Sequence, residues 1–287
     1  QDELVFDGRS FIMDPHGNIE AMGKLFTEDM VDFDTENSSH KKPEAVKIDE
    51  SEELFKALSL GVKDYFQKSG FSKAVIGLSG GIDSSLTAAI AVNAIGKENV
   101  IGISMPSSFS SEHSRTDAME LAKNLEIKFE TIPIHNIFNE LLREMDCFFG
   151  ETDSGLAEEN LQARIRGNIL MSIANKVNAL VLNTGNKTEL ALGYCTMYGD
   201  MCGALGVISD INKQEVYSIS RWINNANGSP KIPLNSINKR PSAELKENQY
   251  DPFDYDLVSP IVDHLINDML DKEELIKMGY DSNLINE

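Results

Sequence analysis

The chain has 287 residues and a formal net charge of −20 at pH 7. Because binding to a nucleic-acid backbone needs basic surface patches, we do not expect so acidic a chain to bind nucleic acid. The sequence contains no run of eighteen apolar residues and no basic stretch typical of a signal peptide, which argues against a membrane span or a membrane partner. The three cysteines, Cys147, Cys195 and Cys202, lack metal-ligand spacing and indicate reduced thiols in a cytoplasmic protein.

The first 70 residues divide into a strand-like fragment, a polar segment and a helix. Residues 4–6 and 11–13 are strand-like, and residues 14–17 carry a turn signal. Because so short a fragment cannot bury a sheet face alone, we expect it to belong to a larger sheet. Residues 32–47 are polar and without periodicity, which predicts a linker. Apolar residues then recur at helical spacing and predict a helix that ends at Gly70.

From residue 74 onward, strand-like runs alternate with helical patterns. The predicted strands are 74–78, 100–105, 129–134, 179–182 and a short strand that begins at Val207. One predicted helix starts near residue 86. The others span residues 118–125, 138–149, about 157–178 and 213–224. This rhythm predicts an α/β fold with a doubly wound, mostly parallel sheet. Ligands of such sheets bind outside the carboxyl ends of the strands, so the segments after residues 78 and 182 can share one site.

The segment GLSGGIDSS, residues 77–85, joins the first of these strands to a helix. Its two glycines let the backbone approach an anion, and the helix start offers free N–H groups and a positive dipole end. The segment lacks the lysine of a P-loop and the spacing of a dinucleotide fingerprint. It contains Asp83 instead, and a carboxylate beside phosphates needs a cation between them, which indicates a Mg²⁺ ligand. The structural alternative is a glycine-rich turn whose acid only stabilises the helix start.

Two further segments could contact a substrate. Asn160 and Arg164 are four residues apart on a predicted helix and share a face, so their amide and guanidinium groups could hold a carboxamide or carboxylate. A solvated polar helix face is the alternative. The segment PSAEL, residues 241–245, follows Lys239 and Arg240 and by itself indicates only a turn.

The segment 184–200, with the sequence TGNKTELALGYCTMYGD, is the other candidate ligand-binding stretch. Thr184 and Lys187 could meet a nucleotide, and Glu189 could be a second Mg²⁺ ligand. The alternative is an ordinary helix start with an acid in its first turn.

Six segments occur in this chain in the order SGGIDSS, SMPSSFSS, ENLQARIRGNILM, TGNKTELALGYCTMYGD, DINKQEVY and RPSAEL. Together they resemble the NAD⁺ synthetases, a family of N-type ATP pyrophosphatases, over about residues 50 to 285. The resemblance implies a Rossmann-like fold of the adenine-nucleotide α-hydrolase type. It also implies a carbon–nitrogen ligase that uses ATP and Mg²⁺ to amidate deamido-NAD⁺ to NAD⁺ through an acyl-adenylate, releasing AMP and pyrophosphate. Members of the family form homodimers whose dinucleotide site is shared across the interface.

The resemblance also implies roles for individual residues. The loop residues that would hold ATP are Gly77, Leu78, Ser79, Gly80, Gly81, Ile82, Asp83 and Ser84. Further contacts with ATP would come from Thr184, Lys213 and Ser242. Asp83 and Glu189 would bind Mg²⁺ and act in catalysis. The residues that would bind deamido-NAD⁺ are Asn160, Arg164, Glu189 and Asp200.

The subtype suggested by the resemblance is glutamine-dependent. Ammonia-dependent members commonly carry a lysine where this chain has Met197, and the opening sequence QDELVFDGRSFIMD resembles the last strands of an amidase-like glutaminase domain. We therefore expect a remnant of that domain in residues 1–31, a linker in 32–47 and a synthetase domain in 48–287. Glutamine would supply nitrogen in the full-length enzyme, and free ammonia would supply it to this chain. The family's basic carboxyl-terminal segment, which touches the dinucleotide, would lie beyond Glu287.

Two alternative hypotheses share parts of this pattern. Another N-type ATP pyrophosphatase, such as a tRNA-modifying enzyme, would have the same loop, but the charge of −20 argues against it. A nucleotide-binding module without catalytic activity would have the same fold, but the presence of both Asp83 and Glu189 argues against that hypothesis. The sequence singles out no general base for the attack by ammonia.

Overall fold

The computed structural model of the chain describes residues 4–35, 48–149, 155–226, 228–247 and 249–286. Its strands are β1 (Phe11–Met13), β2 (Ile19–Met22), β3 (Ala74–Gly77), β4 (Val100–Ser104), β5 (Lys128–Thr131), β6 (Leu180–Asn183) and β7 (Leu205–Gly206). Its α-helices are α1 (Glu50–Ser69), α2 (Ile82–Ile95), α3 (Glu112–Leu125), α4 (His135–Phe149), α5 (Leu156–Val177), α6 (Lys187–Ala191), α7 (Lys213–Ala226), α8 (Leu234–Asn238), α9 (Tyr255–Ile266), α10 (Lys272–Lys277) and α11 (Ser282–Asn286).

Five of the strands form one parallel sheet in the order β5-β4-β3-β6-β7, with β3 at its centre. Neighbouring side chains of a strand point to opposite faces of the sheet. Ala74 and Ile76 accordingly pack with residues of α1, α2, α3 and α7, whereas Val75 packs with residues of α4 and α5. Helices therefore cover both faces, and the predicted α/β fold with a doubly wound parallel sheet is confirmed.

Helix α2 fixes the loop that joins it to the central strand. It is apolar on nearly every side, and Leu86, Ile90 and Ala91 have no exposed surface. Helices α1 and α7 pack against it. Because both β3 and α2 are buried, the short loop between them is held at a fixed place above the carboxyl edge of the sheet.

The last predicted strand was misplaced by two residues. The strand is Leu205–Gly206, whereas Val207 and Ile208 lie in a turn that includes a hydrogen bond from the Ser209 N–H to the Gly206 carbonyl oxygen. Both misassigned residues are buried in the core, so their apolar character reflects packing and not strand geometry.

The amino-terminal fragment forms its own antiparallel sheet of β1 and β2, separate from the parallel sheet. No strand forms at residues 4–6, and an isolated bridge joins Gly8 to Leu25. A salt bridge of 2.5 Å between Arg9 Nη2 and Glu53 Oε1 ties the fragment to α1. Of the predicted linker, residues 36–47 lie outside the described part of the chain. Within the described ranges, no helix combines the length and apolar character that crossing a bilayer requires.

The loop between β3 and α2 depends on Gly80. This residue has a φ of 77°, and a Cβ atom added to it would lie 2.2 Å from the carbonyl oxygen of Ser114 on α3. Its own carbonyl oxygen accepts a hydrogen bond of 2.9 Å from the Ser236 hydroxyl on α8. The loop is therefore packed against two further helices at a position where only glycine fits.

We predict that Gly80→Ala destabilises the protein more than Gly70→Ala. Both glycines have left-handed backbone conformations, which cost a side chain about 1–2 kcal/mol. An added Cβ at Gly70 meets nothing within 4 Å, whereas at Gly80 it meets backbone atoms, which should cost about 1–3 kcal/mol more. Urea unfolding of both variants measures the difference, and equal free energies of unfolding would contradict the packing described here.

Candidate active site

Two adjoining cavities open at the carboxyl edge of the parallel sheet. The first, of about 280 Å³, lies over the ends of β3 and β6 and the starts of α2, α6 and α7. The second, of about 260 Å³, extends over the end of β4. The residues that border both cavities include Ser79, Gly81, Thr184, Asp200 and Ser242. The two polar loops predicted to share one site therefore do meet.

The loop between β3 and α2 is held in shape by its own hydroxyl groups. The Gly81 N–H donates to Ser79 Oγ at 3.1 Å, and the Ser79 N–H donates to Ser84 Oγ at 3.3 Å. The hydroxyls of Ser84 and Ser85 donate to the Gly81 carbonyl oxygen at 3.1 and 2.7 Å. Gly81 is the N-cap residue of α2, and because glycine has no side chain it offers the helix start no capping hydrogen bond. The first turn of α2 faces the first cavity and carries Asp83 as its own acid, so a phosphate bound to its free N–H groups would need a cation beside that carboxylate.

A buried lysine joins the two predicted Mg²⁺ ligands. Lys213 Nζ lies 2.6 Å from Asp83 Oδ2 and 3.1 Å from Glu189 Oε1, and its side chain is 3% exposed. Lys213 begins α7, where Asn212 and Glu215 exchange backbone-to-side-chain hydrogen bonds of 2.6 and 2.9 Å. The ammonium group neutralises one of two carboxylates that would otherwise repel each other.

Burial and charge shift the pKa values of this cluster. Burial, and then the charge of Asp83, raise the pKa of Glu189 to about 7, although Lys213 opposes this shift. Burial disfavours the charge of Lys213, but the two carboxylates outweigh burial and hold its pKa above the usual value. Glu189 can therefore exist in both protonation states near neutral pH, and its charge depends on the cation beside it.

Asn186, which the sequence analysis did not single out, positions both carboxylates. Its Nδ2 donates to Asp83 Oδ1 at 2.9 Å, and its Oδ1 accepts from the Glu189 N–H at 3.1 Å. Its own N–H donates to Glu189 Oε2 at 3.3 Å, which completes a capping box at the start of α6. The sequence NKTE carries the capping signal, but only the fold shows that the same asparagine reaches Asp83.

The carboxylates supply hard oxygen ligands suited to Mg²⁺, and Asp83 and Glu189 are the residues that could hold it. Among the described residues, no group of three or more His, Cys, Asp or Glu side chains forms a metal site. Mg²⁺ is commonly bound by one or two carboxylates together with substrate phosphates and water. The residues therefore fit a metal that arrives with a nucleotide, and not one held by protein side chains alone.

The predicted dinucleotide contacts on α5 divide between the cavity and the surface. Asn160 borders the first cavity, and its Oδ1 accepts from Thr196 Oγ1 at 2.7 Å. Arg164 is exposed, borders neither cavity, and donates through Nε to the Met197 carbonyl oxygen at 3.3 Å. The two residues share a helix face, as predicted, but only Asn160 reaches the cavity.

A different arginine of α5 reaches the second cavity. Arg166 donates through Nε to the Met105 carbonyl oxygen at 3.0 Å, at the end of β4. Burial lowers its pKa to about 10, and the charges of Glu244 and Asp200 oppose this shift. The segment QARIR offers two arginines, and the pattern alone does not say which one points inward.

The remaining predicted residues lie in several places around the cavities. Thr184 and Ser242 border both, and the Ser242 hydroxyl donates to the Gln249 carbonyl oxygen at 2.5 Å. Asp200 borders both and accepts from the Thr196 N–H at 2.6 Å. Gly77 and Leu78 border the second cavity, and Ile82 and Ser84 border the first.

Lys187, which the sequence suggested as a nucleotide contact, lies outside both cavities. Its Nζ lies 2.5 Å from Asp263 Oδ1 on α9, and it borders neither cavity. At the first helical position of α6, this side chain reaches α9.

The fold and cavities define a Rossmann-like α/β protein with a glycine-rich loop between its central strand and the helix that follows. The family model described as NAD synthase matches residues 54–287. The glutamine-dependent NAD(+) synthetase of Synechocystis sp. is 47% identical over 291 residues, which cover 99% of this chain and 52% of that protein. The glutamine-dependent NAD(+) synthetase of Thermotoga maritima is 43% identical over 319 residues, which cover 98% and 55%.

A solved structure of a glutamine-dependent NAD⁺ synthetase is also similar to this chain. The glutamine-dependent NAD⁺ synthetase from Acinetobacter baumannii, in complex with ADP, has a TM-score of 0.80 and 37% identity, covering 100% of this chain and 53% of that one. The chain belongs to the NAD synthase family, and the resemblance stated from the sequence is confirmed. It spans about half the length of the curated relatives that it matches.

We predict that Lys213→Met destabilises the protein by about 3–5 kcal/mol, because it leaves buried carboxylates without their cation. The loss should be larger at pH 8 than at pH 6. The native pKa of Glu189 is raised from 4.5 to about 7, so the folded protein binds more protons than the unfolded chain in this range. The free energy of unfolding therefore falls as pH rises through that window. Removal of Lys213 should raise that pKa further and steepen this fall.

Lys187→Met is the matched control for this measurement. It also removes a buried lysine from the first turn of a helix, but its partner is one carboxylate whose side chain is 25% exposed. Urea unfolding at both pH values should give a smaller pH dependence for this variant. Equal pH dependence in the two variants would contradict the cluster described above.

Proposed function

We propose that the chain amidates deamido-NAD⁺ to NAD⁺, using ATP and releasing AMP and pyrophosphate. The observation that supports this most directly is the buried Asp83–Lys213–Glu189 cluster beside an anion-binding loop. A reaction that separates pyrophosphate from AMP needs charge stabilisation beside the phosphates, and this cluster offers both cationic and oxygen groups. Family membership favours this reaction over that of a tRNA-modifying pyrophosphatase.

ATP would occupy the second cavity with its phosphates at the loop between β3 and α2. The cavity is lined there by apolar side chains such as Leu78, Ile103 and Leu170, which suit an adenosine moiety. The helix start and the hydroxyls of Ser79 and Ser84 would bind the phosphates. Mg²⁺ bound by Asp83, Glu189 and phosphate oxygens would neutralise phosphate charge during the reaction.

Deamido-NAD⁺ would enter the first cavity with its nicotinate carboxylate toward the α-phosphate of ATP. Asn160 and Asp200 border that cavity and supply amide and carboxylate groups for its polar edges. Arg164 would contribute from the surface, where the family's shared dimer interface could complete the dinucleotide site.

Two displacements make up the reaction. A carboxylate oxygen attacks the α-phosphorus, the bond from that phosphorus to its bridging oxygen breaks, and pyrophosphate leaves. Lys213 and the free N–H groups of α2 stabilise the negative charge that develops on the phosphates. Ammonia then attacks the acyl carbon, the carbon–oxygen bond to AMP breaks, AMP leaves, and the proton that the nitrogen loses passes to water.

Residues 1–31 belong, in this proposal, with a glutaminase domain, residues 32–47 form a linker, and residues 48–287 are the synthetase domain. Support comes from the separate sheet of β1 and β2, which is too small to be stable alone, and from the exposed Phe6, Phe11 and Met13 of the same fragment. The longer enzyme would draw nitrogen from glutamine. We also propose a cytoplasmic homodimer, which the free cysteines and the family resemblance support.

We predict that this chain forms NAD⁺ from ammonium salts but not from glutamine. Glutamine hydrolysis needs an activated nucleophile, normally a cysteine thiolate. Burial, and then the charge of Asp200, raise the pKa values of Cys195 and Cys202, and Cys147 is exposed on α4. The rate should rise with pH, because neutral ammonia is the nucleophile.

The assay combines the chain with ATP, Mg²⁺ and deamido-NAD⁺, and compares ammonium chloride with glutamine. NAD⁺, AMP and pyrophosphate should form in equal amounts with ammonium alone. Release of ADP and phosphate would refute the proposed reaction, and NAD⁺ formed from glutamine would refute the assignment of nitrogen supply to another domain. Failure with both sources would favour the inactive nucleotide-binding module.

A further inference from the structure

The loop between β3 and α2 has no lysine of its own, whereas a P-loop carries one that reaches the phosphates. Lys213 lies near the loop, but its Nζ is shared between Asp83 and Glu189 at 2.6 and 3.1 Å. One ammonium group gives that cluster no net positive charge in either protonation state of Glu189. A leaving pyrophosphate at this loop therefore needs a further cation from another part of the chain.

Lys239 lies where the two cavities meet. Of the lysine and arginine side chains in the part of the chain that the structure describes, it alone borders both cavities. Ser79 and Gly81 of the loop border both cavities as well. In the proposed arrangement the adenosine of ATP occupies the second cavity and deamido-NAD⁺ the first. The phosphates would then lie at the boundary between them, beside Lys239.

Helices α8 and α3 hold Lys239 beside the loop. The residue directly follows α8, and its N–H donates to the Asn235 carbonyl oxygen at 2.9 Å. Ser236 of the same helix donates from its hydroxyl to the Gly80 carbonyl oxygen at 2.9 Å. Lys239 Nζ donates to Ser114 Oγ at 2.9 Å, and the Ser114 carbonyl oxygen lies against Gly80. Both helices that position the ammonium group therefore also contact the loop.

The charge of Lys239 is only partly neutralised by the protein. Its salt bridge is with Asp117 on α3, and Nζ lies 3.5 Å from Asp117 Oδ2. That oxygen accepts a shorter hydrogen bond, of 2.7 Å, from Asn235 Nδ2. Asp117 therefore keeps a donor when the lysine turns toward a ligand. The Lys239 side chain is 25% exposed, which leaves its ammonium group accessible from the cavities.

The arginines at the cavities have other contacts. Arg240 borders the first cavity alone and stacks on Tyr250, with 4.4 Å between its guanidinium carbon and the ring centroid. Arg115 and Arg166 border the second cavity alone, and each donates to a backbone carbonyl oxygen, at 3.1 and 3.0 Å. Position and available charge together favour Lys239 as the cation for the phosphates.

We propose that Lys239 binds the two phosphates of ATP that leave as pyrophosphate, an inference that rests on the proposed function. Its ammonium group would donate to their oxygens together with the free N–H groups of α2. When the bond to the α-phosphorus breaks, its electron pair stays on the bridging oxygen and the pyrophosphate gains negative charge. Lys239 stabilises that charge and transfers no proton. A residue that follows α8 thus takes the part that a lysine within the loop has in a P-loop.

Lys239→Met tests this assignment because it keeps an unbranched side chain and removes the charge. We expect the dissociation constant of inorganic pyrophosphate, measured by calorimetry with Mg²⁺ present, to rise by about 10- to 100-fold, as the loss of a charged hydrogen bond implies. The dissociation constant of AMP, which lacks those two phosphates, should stay within about twofold of wild type. The kcat/KM for ATP should fall by about the same factor as the affinity for pyrophosphate.

Lys231→Met is the matched control, because it removes the same charge from the other end of α8. Lys231 is also half-buried, donates from Nζ to the Asn124 carbonyl oxygen at 3.3 Å and borders neither cavity. Its affinities for pyrophosphate and AMP should equal those of wild type. Lys239→Met with unchanged pyrophosphate affinity, or with AMP and pyrophosphate weakened equally, would overturn the proposal. A wild-type chain that binds pyrophosphate but forms no NAD⁺ would instead refute the proposed function.

A crystal structure of the wild-type chain with magnesium pyrophosphate covers the case in which the variant does not fold. We expect Lys239 Nζ at about 3 Å from a pyrophosphate oxygen, with the hydrogen bond between Asn235 and Asp117 retained. Pyrophosphate bound at the loop beyond hydrogen-bond reach of Lys239 would overturn the proposal. A wild-type chain that binds no pyrophosphate would overturn it as well.

Discussion

The contact on which the site depends is the ammonium group of Lys213 between Asp83 and Glu189. These carboxylates follow two different strands of the sheet and converge where neither has full access to water. Without a cation between them, burial and mutual repulsion would drive at least one to protonate, as the raised pKa of Glu189 indicates. The lysine thus lets two carboxylates lie close together in a buried place, which is the arrangement that the proposed nucleotide and Mg²⁺ site needs.

Local sequence was enough for much of the fold and part of the site. The apolar run at 74–78, the glycines after it and the following apolar helix are strong signals that agree with one another, so the central βα unit was predicted correctly. Lys213 carries a second kind of signal, because a cation in the first turn of a helix opposes the helix dipole. A residue that is unfavourable for the local helix, as this lysine is, often lies at a functional site where tertiary contacts stabilise it.

Other features depend on convergence in space. Asn186 has the ordinary local role of a helix cap, and only the packed sheet edge brings its side chain within hydrogen-bond distance of Asp83. Arg164 and Arg166 are two residues apart, so they point about 200° apart around the helix, and the sequence does not tell which direction faces inward. Ile208 is buried in a turn, which the apolar pattern alone cannot distinguish from a strand.

An isotope experiment tests most directly whether the cavities join the carboxylate of one substrate to the α-phosphate of the other. Deamido-NAD⁺ labelled with ¹⁸O in both nicotinate carboxylate oxygens is converted with unlabelled ATP and ammonium, and the products are weighed by mass spectrometry. An acyl-adenylate predicts one ¹⁸O in AMP, one in the amide of NAD⁺ and none in pyrophosphate. Label in pyrophosphate or free phosphate, with unlabelled AMP, would contradict the account.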